Sequence, residues 1–174
     1  VHVIIKAAAE LINKRGRDDL HFVLCGDRQD EKSIFDSLYK GTAAEGHISF
    51  GGYRGDIPQL LAGSYAGMIA STGWDSFTFT SMEVGASGLP LIVSDLVGLN
   101  EAVVDQKTGF LVRPGDHLQL ADKVEYLADN EAVRDQMGRF AFERVLEEFT
   151  VEAQRAALLD VIESHVARKS SCCR

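Results

Sequence analysis

Two carboxylates with seven residues between them, Asp75 and Glu83, have the spacing best suited to chemistry in this chain. Residues 77–87 are mostly apolar or small and predict a helix, with Asp75 just before it and Glu83 one to two turns inside. The start of a helix exposes unpaired N–H groups and partial positive charge, and therefore binds phosphate. Carboxylates accept hydrogen bonds from sugar hydroxyls. The arrangement therefore suits a ligand that joins phosphate to hydroxyl-rich groups, such as a nucleotide-sugar.

Each of these groups also has a purely structural interpretation. An Asp before a helix is usually its N-cap, although Ser76 would cap equally well and leave Asp75 to a ligand. Glu83 stands among apolar and small residues, so we expect it to be buried with a partner. That partner is either an Arg or Lys of the protein or the hydroxyls of a ribose. The N–H groups of Thr78 and Phe79, expected in the first helical turn, are the candidate phosphate donors.

Glycines follow two of the predicted strands. Gly26 and Asp27 come after the first strand, and a pair of glycines precedes Tyr53 and Arg54 after the second. Glycine permits a tight turn and the close approach of a ligand, and Tyr53 or Arg54 is suited to cover a flat base. The alternatives are an ordinary turn at Gly26 and a flexible loop that carries a surface Tyr and Arg.

Composition places the chain among globular domains. It has 174 residues, 45 % of them hydrophobic, 25 % charged, and a net charge of −8, which argues against a nucleic-acid binder. No apolar run is long enough to cross a bilayer, and the first residues show no secretory signal. Without an Asp-x-Asp pair or histidines at metal spacing, we predict no metal and no cofactor.

Three cysteines bear on the compartment. Cys25 lies in an apolar run, where we expect it to be buried, and Cys172 and Cys173 lie in a polar tail. An odd count with one buried member is not a disulfide framework and indicates a reducing, cytoplasmic location.

Short apolar strands alternate with helical patterns along the chain. This alternation predicts an α/β domain of the Rossmann-like, three-layer type: a doubly wound parallel sheet of five to six strands, helices on both faces and ligands at the carboxyl ends of the strands. A helix is predicted over residues 57–62, with Pro58 in its first turn. Asp116, with Gln119 three residues later, is expected to cap a later helix, and Thr150 is expected to cap the last helix. Strands are expected at 21–25, 47–50, 66–70, 89–93 and 109–112.

The ends of the chain carry two further expectations. Val1 opens inside a helical pattern without a cap or a preceding strand, so we expect a fragment of a longer protein that lacks at least one upstream strand. We expect one domain over residues 1–168 and a disordered tail over 169–174.

Between Gly26 and Asp116 the chain resembles the carboxyl-terminal, nucleotide-binding domain of retaining GT-B glycosyltransferases of the group 1 type. The resemblance rests on many motifs that occur in the family's order. They are Gly26-Asp27, Phe50-Gly-Gly-Tyr53, Ile57-Pro-Gln-Leu60, the pair Asp75 and Glu83, Gly88-Leu-Pro90, Ser94-Asp95, Gly98-Leu-Asn-Glu101, Gly109-Phe-Leu-Val112 and Pro114-Gly-Asp116.

The resemblance implies roles for the site residues. Glu83 would bind the ribose hydroxyls, Asp75 would contact the transferred sugar, and amides near Phe77 to Phe79 would hold the diphosphate. The Tyr53–Arg54 backbone would bracket the base of a UDP-, GDP- or ADP-sugar. The full protein would transfer a hexosyl group with retention of configuration, whereas this fragment, without its amino-terminal acceptor domain, would be inactive.

The sequence also departs from the family's pattern. Asp75 replaces the usual Glu and Thr78 the usual Gly, and the basic pair that clamps the diphosphate would lie upstream of Val1. Two other functions therefore stay open: a sugar-nucleotide epimerase, which shares the GT-B plan, and a degenerate, non-catalytic binding module. The family also implies a lipid or polysaccharide acceptor and a peripheral position at the inner membrane face.

Overall fold

The computed structural model describes residues 1–26 and 32–172, with side chains as far as residue 165, so Asp27 lies outside the described residues. Within them, α1 continues into a π-helical segment, and short 3-10 turns lie between several of the other elements. The helices are α1 (His2–Ala9), α2 (Asp36–Tyr39), α3 (Ile57–Ala62), α4 (Phe79–Ala86), α5 (His117–Asp129), α6 (Glu131–Glu148) and α7 (Val151–Cys172). The strands are β1 (Phe22–Cys25), β2 (Ile48–Gly52), β3 (Gly67–Ile69), β4 (Leu91–Ser94) and β5 (Gly109–Val112).

All strand pairs in the described residues are parallel, which confirms the α/β class. The strands belong to two sheets, however, whereas one sheet of five to six strands was predicted. β1 pairs with β2, and β3, β4 and β5 pair in that order. Hydropathy marks where a strand lies but not which neighbour its N–H and C=O groups bond, so the sequence pattern did not reveal this division.

Strand β4 is buried on both faces, as the predicted three layers require. Ile92 belongs to a core cluster that also contains Leu120 of α5, whereas Leu91 and Val93 belong to a second cluster with Val84 of α4. Successive side chains of a strand point to opposite faces, so α4 and α5 must cover opposite sides of this sheet.

Glycines allow α4 to lie close to its neighbours. A Cβ on Gly85 would stand 2.9 Å from Cγ2 of Val145 in α6, and a Cβ on Gly67 in β3 would stand 2.7 Å from Cγ2 of Val84. Either substitution would force these elements apart. The carboxyl-terminal half of α4 is therefore packed closely between β3 and α6.

Two predicted caps are confirmed. Asp116 accepts a hydrogen bond from the N–H of Gln119 at 2.9 Å, and Thr150 accepts one from the N–H of Ala153 at 3.2 Å. The Gln119 side chain does not complete a capping box, because its Oε1 accepts from the N–H of Arg113 instead.

Two further predictions concern Cys25 and the carboxyl-terminal residues. Cys25 is exposed rather than buried, because alternate residues of β1 face away from the core. Helix α7 extends to Cys172, and the expected disorder of residues 169–174 stays a prediction, with residues 173 and 174 outside the described part. No helix in the described residues is long and apolar enough to span a membrane.

Candidate functional site

The loop after β3 holds the Asp75 carboxylate by both of its oxygens. The Ser71 hydroxyl donates a short hydrogen bond to Oδ2, and the N–H of Ser76 donates to Oδ1 at 2.8 Å. Asp75 is half-buried there, and each oxygen keeps a further lone pair for a ligand. The carboxylate thus closes its own loop and does not cap α4.

Helix α4 begins two residues later than predicted. Thr78 has an extended backbone and is the N-cap, since its Oγ1 accepts from the N–H of Ser81 at 3.3 Å. Caps at Asp75 or Ser76 are therefore wrong, and Thr78 does not lie in the first turn. The N-cap residue Thr78 and the first two helical residues, Phe79 and Thr80, have N–H groups without an intrahelical partner, so Thr78 and Phe79 stay candidate phosphate donors and Thr80 joins them.

The segment before α4 is anchored from two sides. Phe77 packs against Phe149 at the junction of α6 and α7, with the rings tilted by 38° and 5.1 Å between their centroids. On the other side, Gly98 of the loop after β4 lies so close that a Cβ there would stand 3.2 Å from Cα of Ser76 and 3.4 Å from the Asp75 carbonyl oxygen. The backbone that joins Asp75 to the helix is therefore confined by packing.

Glu83 is exposed on α4, so the expectation that it is buried was wrong. The helix turns its Ser81, Val84 and Gly85 side toward the core, and the intervening position of Glu83 faces out. Among the residues that the structure describes, neither a hydrogen bond nor an ion pair holds its carboxylate. An internal Arg or Lys partner is thus absent from that part of the chain, and the carboxylate is open to a ligand.

The turn after β2 presents a different arrangement. Tyr53 is almost fully exposed, whereas Nε of Arg54 donates to Oδ1 of Asp56 at 2.8 Å. This hydrogen bond lowers the pKa of the Asp56 carboxyl below its usual value. The N–H of Gly26 donates to the Gly52 carbonyl oxygen at 2.8 Å and joins the ends of β1 and β2. The Arg54 side chain is therefore committed to Asp56 rather than placed over a base.

The predicted residues fall into two groups. Asp75, Phe77, Thr78, Phe79 and Glu83 lie on one continuous loop-helix segment, and Gly26, Tyr53 and Arg54 lie at the ends of β1 and β2. A cavity of about 550 Å³ is lined by Phe77, Thr78 and Phe79 of the first group together with Glu101 and Phe149, whereas Asp75 and Glu83 are not among its lining residues.

Sequence reasoning missed the residues that hold the site in place. Ser71 follows the half-buried strand β3 and stands four positions before Asp75, a spacing that suits a loop-closing hydrogen bond. Asn100 is the first residue of a 3-10 turn, and its Nδ2 donates to Oδ1 of Asp95 at 2.8 Å. In the described residues no group of acidic, His and Cys side chains could hold a metal ion.

Comparison with known proteins identifies the family. The model of the family described as Glycosyl transferases group 1 matches residues 1–130. The chain is 31 % identical, over 178 aligned residues, to the D-inositol 3-phosphate glycosyltransferase of Corynebacterium diphtheriae; the match covers 94 % of the chain and 41 % of that protein. The chain thus spans about two fifths of the length of this curated relative.

Solved structures show the same fold. Anabaena HepE, crystallised with UDP-glucose, superposes with a TM-score of 0.82 at 23 % identity, over 94 % of this chain and 44 % of that one. The carboxyl-terminal domain of the group 1 protein LpcC from Francisella tularensis superposes with a TM-score of 0.74 at 21 % identity, over 86 % of this chain and 79 % of that one. The architecture is that of a GT-B glycosyltransferase domain, and the chain belongs to the group 1 glycosyltransferase family.

Proposed function

We propose that this chain binds a nucleotide-sugar donor and that the protein to which it belongs transfers the hexosyl group to an acceptor with retention of anomeric configuration. The observation that carries the proposal is the exposed Glu83 carboxylate, which no described residue pairs, on the helix whose first turn follows Asp75. An unpaired acceptor this close to a helix amino terminus suits a ribose diphosphate. Membership of the family and the UDP-glucose complex of HepE support the same interpretation.

We assign each donor group to a part of the site. The N–H groups of Phe79 and Thr80 hold the diphosphate, and Glu83 accepts hydrogen bonds from the ribose hydroxyls. Asp75, fixed by its loop, accepts from hydroxyls of the transferred sugar. The backbone of Tyr53 and Arg54 brackets the base of a UDP-, GDP- or ADP-sugar.

The chemistry that this site supports is electrostatic. When the bond between the anomeric carbon and the diphosphate oxygen breaks, its electron pair stays on the phosphate, where negative charge grows. Oriented N–H groups and the partial positive charge at the start of α4 stabilise that charge more in the transition state than in the bound donor. The oxygen of the acceptor hydroxyl then bonds to the anomeric carbon on the face that the diphosphate leaves, and its proton passes to the departing diphosphate oxygen. Attack on that same face retains the configuration.

We also propose that the acceptor, a lipid or a polysaccharide, is bound mainly by the rest of the protein, at the cytoplasmic membrane face. The chain covers 41 % of its Corynebacterium relative, so a complete transferase needs more protein than these 174 residues. The isolated chain is accordingly expected to bind the donor without transferring sugar.

Calorimetric titration of the chain with UDP, GDP and ADP tests the proposal. One nucleotide should bind, and Glu83→Ala should weaken it about tenfold or more, because a hydrogen bond to a charged group contributes about 1.5–3 kcal/mol. The matched control is Glu163→Ala, which removes an exposed glutamate of α7 and should change nothing. Equal affinity of the wild type and Glu83→Ala would remove Glu83 from the site.

A further inference from the structure

We propose that Trp74 is a stacking surface for a pyranose ring, the transferred sugar of the donor; this rests on the function proposed above. Trp74 is 95 % exposed, immediately before Asp75. In the part of the chain that the structure describes, it takes part in no ring contact and no hydrogen bond. The indole therefore contributes nothing to the core.

Trp74 is not an isolated exposed side chain. Among the large hydrophobic residues of the described part, the four most exposed are Tyr53, Trp74, Phe79 and Val97, at 96, 95, 90 and 86 %. Three of them, Trp74, Phe79 and Val97, lie on segments that adjoin Asp75. Phe79 starts α4, and Val97 adjoins Gly98, whose backbone contacts that of Ser76. Single exposed apolar residues are ordinary, but three on segments that adjoin an anchored carboxylate indicate a binding surface.

The loop that carries the indole is braced. The hydrogen bond from Ser71 to Asp75 closes the loop across residues 72–74, and the Ser76 N–H fixes the other carboxylate oxygen. Gly98 packs against the Asp75–Ser76 part of this loop. Gly115, after β5, lies near its other end, since a Cβ there would be 4.0 Å from Cγ2 of Thr72. Pre-organised loops present side chains to a ligand at little entropic cost.

The chemistry of the pair identifies a sugar ring as the ligand. A pyranose has an axial face of C–H groups and an edge of hydroxyls. The electron-rich face of an indole attracts the slightly positive C–H groups, and the Asp75 carboxylate accepts from the hydroxyl edge. Because Trp74 and Asp75 are adjacent, one ring can meet both, and we infer that Trp74 contributes to the choice of the transferred sugar.

Trp74 is also the chain's single tryptophan, so its emission reports directly on the site. Calorimetry with UDP-, GDP- and ADP-glucose first identifies the donor that binds. Tryptophan fluorescence is then measured while that nucleotide-sugar, or its bare nucleoside diphosphate, is added to the protein. Excitation at the red edge of tryptophan absorption, with free tryptophanamide as a parallel control, corrects for light absorbed by the nucleotide. The nucleotide-sugar should shift or quench the emission, and the diphosphate should do so far less.

Variants complete the test by calorimetry. Trp74→Ala should weaken the nucleotide-sugar several-fold and leave the diphosphate unchanged, with Trp74→Phe in between, and Tyr65→Ala, another exposed aromatic, should match the wild type. Suppose that both ligands bind, that Trp74→Ala binds the nucleotide-sugar as tightly as the wild type does, and that the emission responds equally to both ligands. The Trp74 proposal is then overturned and the donor function stands. If neither the nucleotide-sugars nor the diphosphates bind, both proposals fail.

Discussion

The loop after β3 and the turn after β2 both follow a parallel strand, yet they hold their charged groups in opposite ways. In the first, neutral donors from Ser71 and Ser76 orient the Asp75 carboxylate, and no cationic side chain among the described residues pairs with it. In the second, Arg54 and Asp56 form an ion pair at the surface, with 2.8 Å between Nε and Oδ1. A carboxylate held by neutral donors still offers a full charge to a ligand, whereas a paired one offers little.

This difference indicates which side of the site selects the ligand. The β3 loop is braced by Gly98 and presents acceptors for hydroxyl groups. The β2 turn offers mainly backbone and the exposed Tyr53 ring. We therefore expect substitutions on the β3 side to act on both loop geometry and sugar recognition, and those on the β2 side to have smaller effects.

The largest effect is expected from Gly98→Ala, with Gly26→Ala on the other side as its control. Both glycines have positive φ, 91° and 88°, so either alanine should cost about 1–2 kcal/mol through its backbone conformation alone. A Cβ on Gly98 must also displace the backbone of Ser76, whereas one on Gly26 meets no described atom within 4 Å. Gly98→Ala should therefore cost about 1–3 kcal/mol more in urea denaturation. Equal losses would show that the loop is not braced.

The next effect is expected from Ser71→Ala, which removes the donor to Asp75. Because Asp75 is only half-buried, we expect a loss of about 1 kcal/mol of stability and a several-fold weaker nucleotide-sugar, with the nucleoside diphosphate unchanged. Ser71→Thr keeps the hydroxyl and should restore the affinity. The corresponding change in the turn after β2, Asp56→Ala, should not alter the difference in affinity between the nucleotide-sugar and the nucleoside diphosphate. If calorimetry shows that Ser71→Ala and Asp56→Ala reduce this difference equally, the comparison is contradicted.

Thr78→Gly should have a smaller effect, and it should strengthen nucleotide binding rather than weaken it. Glycine is a nearly equivalent N-cap, so the stability should fall by only a few tenths of a kcal/mol. Removal of the side chain beside the Phe79 N–H makes room for a diphosphate, so the nucleotide should bind a few-fold more tightly. Thr150→Gly removes the cap of α7 in the same way and should leave the affinity unchanged. Weaker binding by Thr78→Gly would mean that the hydroxyl itself contacts the ligand.

The smallest effect is expected from pH at the Arg54–Asp56 pair. The pKa of Asp56 is lowered in the folded protein, so its stabilising contribution is complete above the unfolded value of about 3.9 and is lost as the pH falls through the lower folded value. Melting temperatures of the wild type and Asp56→Asn should therefore differ slightly at neutral pH and converge in strong acid. A difference that grows on acidification would exclude this pair as its source.

Local signals predicted some elements to the residue. Helix α3 spans Ile57–Ala62 with a proline in its first turn, and β5 spans Gly109–Val112, both as expected. The Asp116 and Thr150 caps were predicted for the same reason, since a cap depends on residues only three positions apart. The acidic pair and its place beside the start of a helix also follow from the local pattern.

Other features depend on distant contacts. Asp75, Ser76 and Thr78 are all of types that cap helices, and Thr78 caps α4 because Ser71 and the Ser76 N–H hold the Asp75 carboxylate. Glu83 has apolar neighbours in sequence, but the side of α4 that meets the sheet and α6 contains Val84 and Gly85 instead. The choice of Thr78 as the cap depends on the contacts of the preceding loop, and the exposure of Glu83 depends on which side of α4 is covered.

The sequence by itself determined the α/β class, the parallel strands, the bounds of α3, the starts of α5 and α7 and the family, because these follow from hydrophobic periodicity, capping residues and ordered motifs. Only the tertiary structure decided that the strands form two sheets, that Glu83 is exposed and that Asp75 is held by its own loop. The physical reason is that backbone pairing between strands, the packed side of a helix and the path of a loop are all selected by contacts that hydrophobic periodicity does not encode.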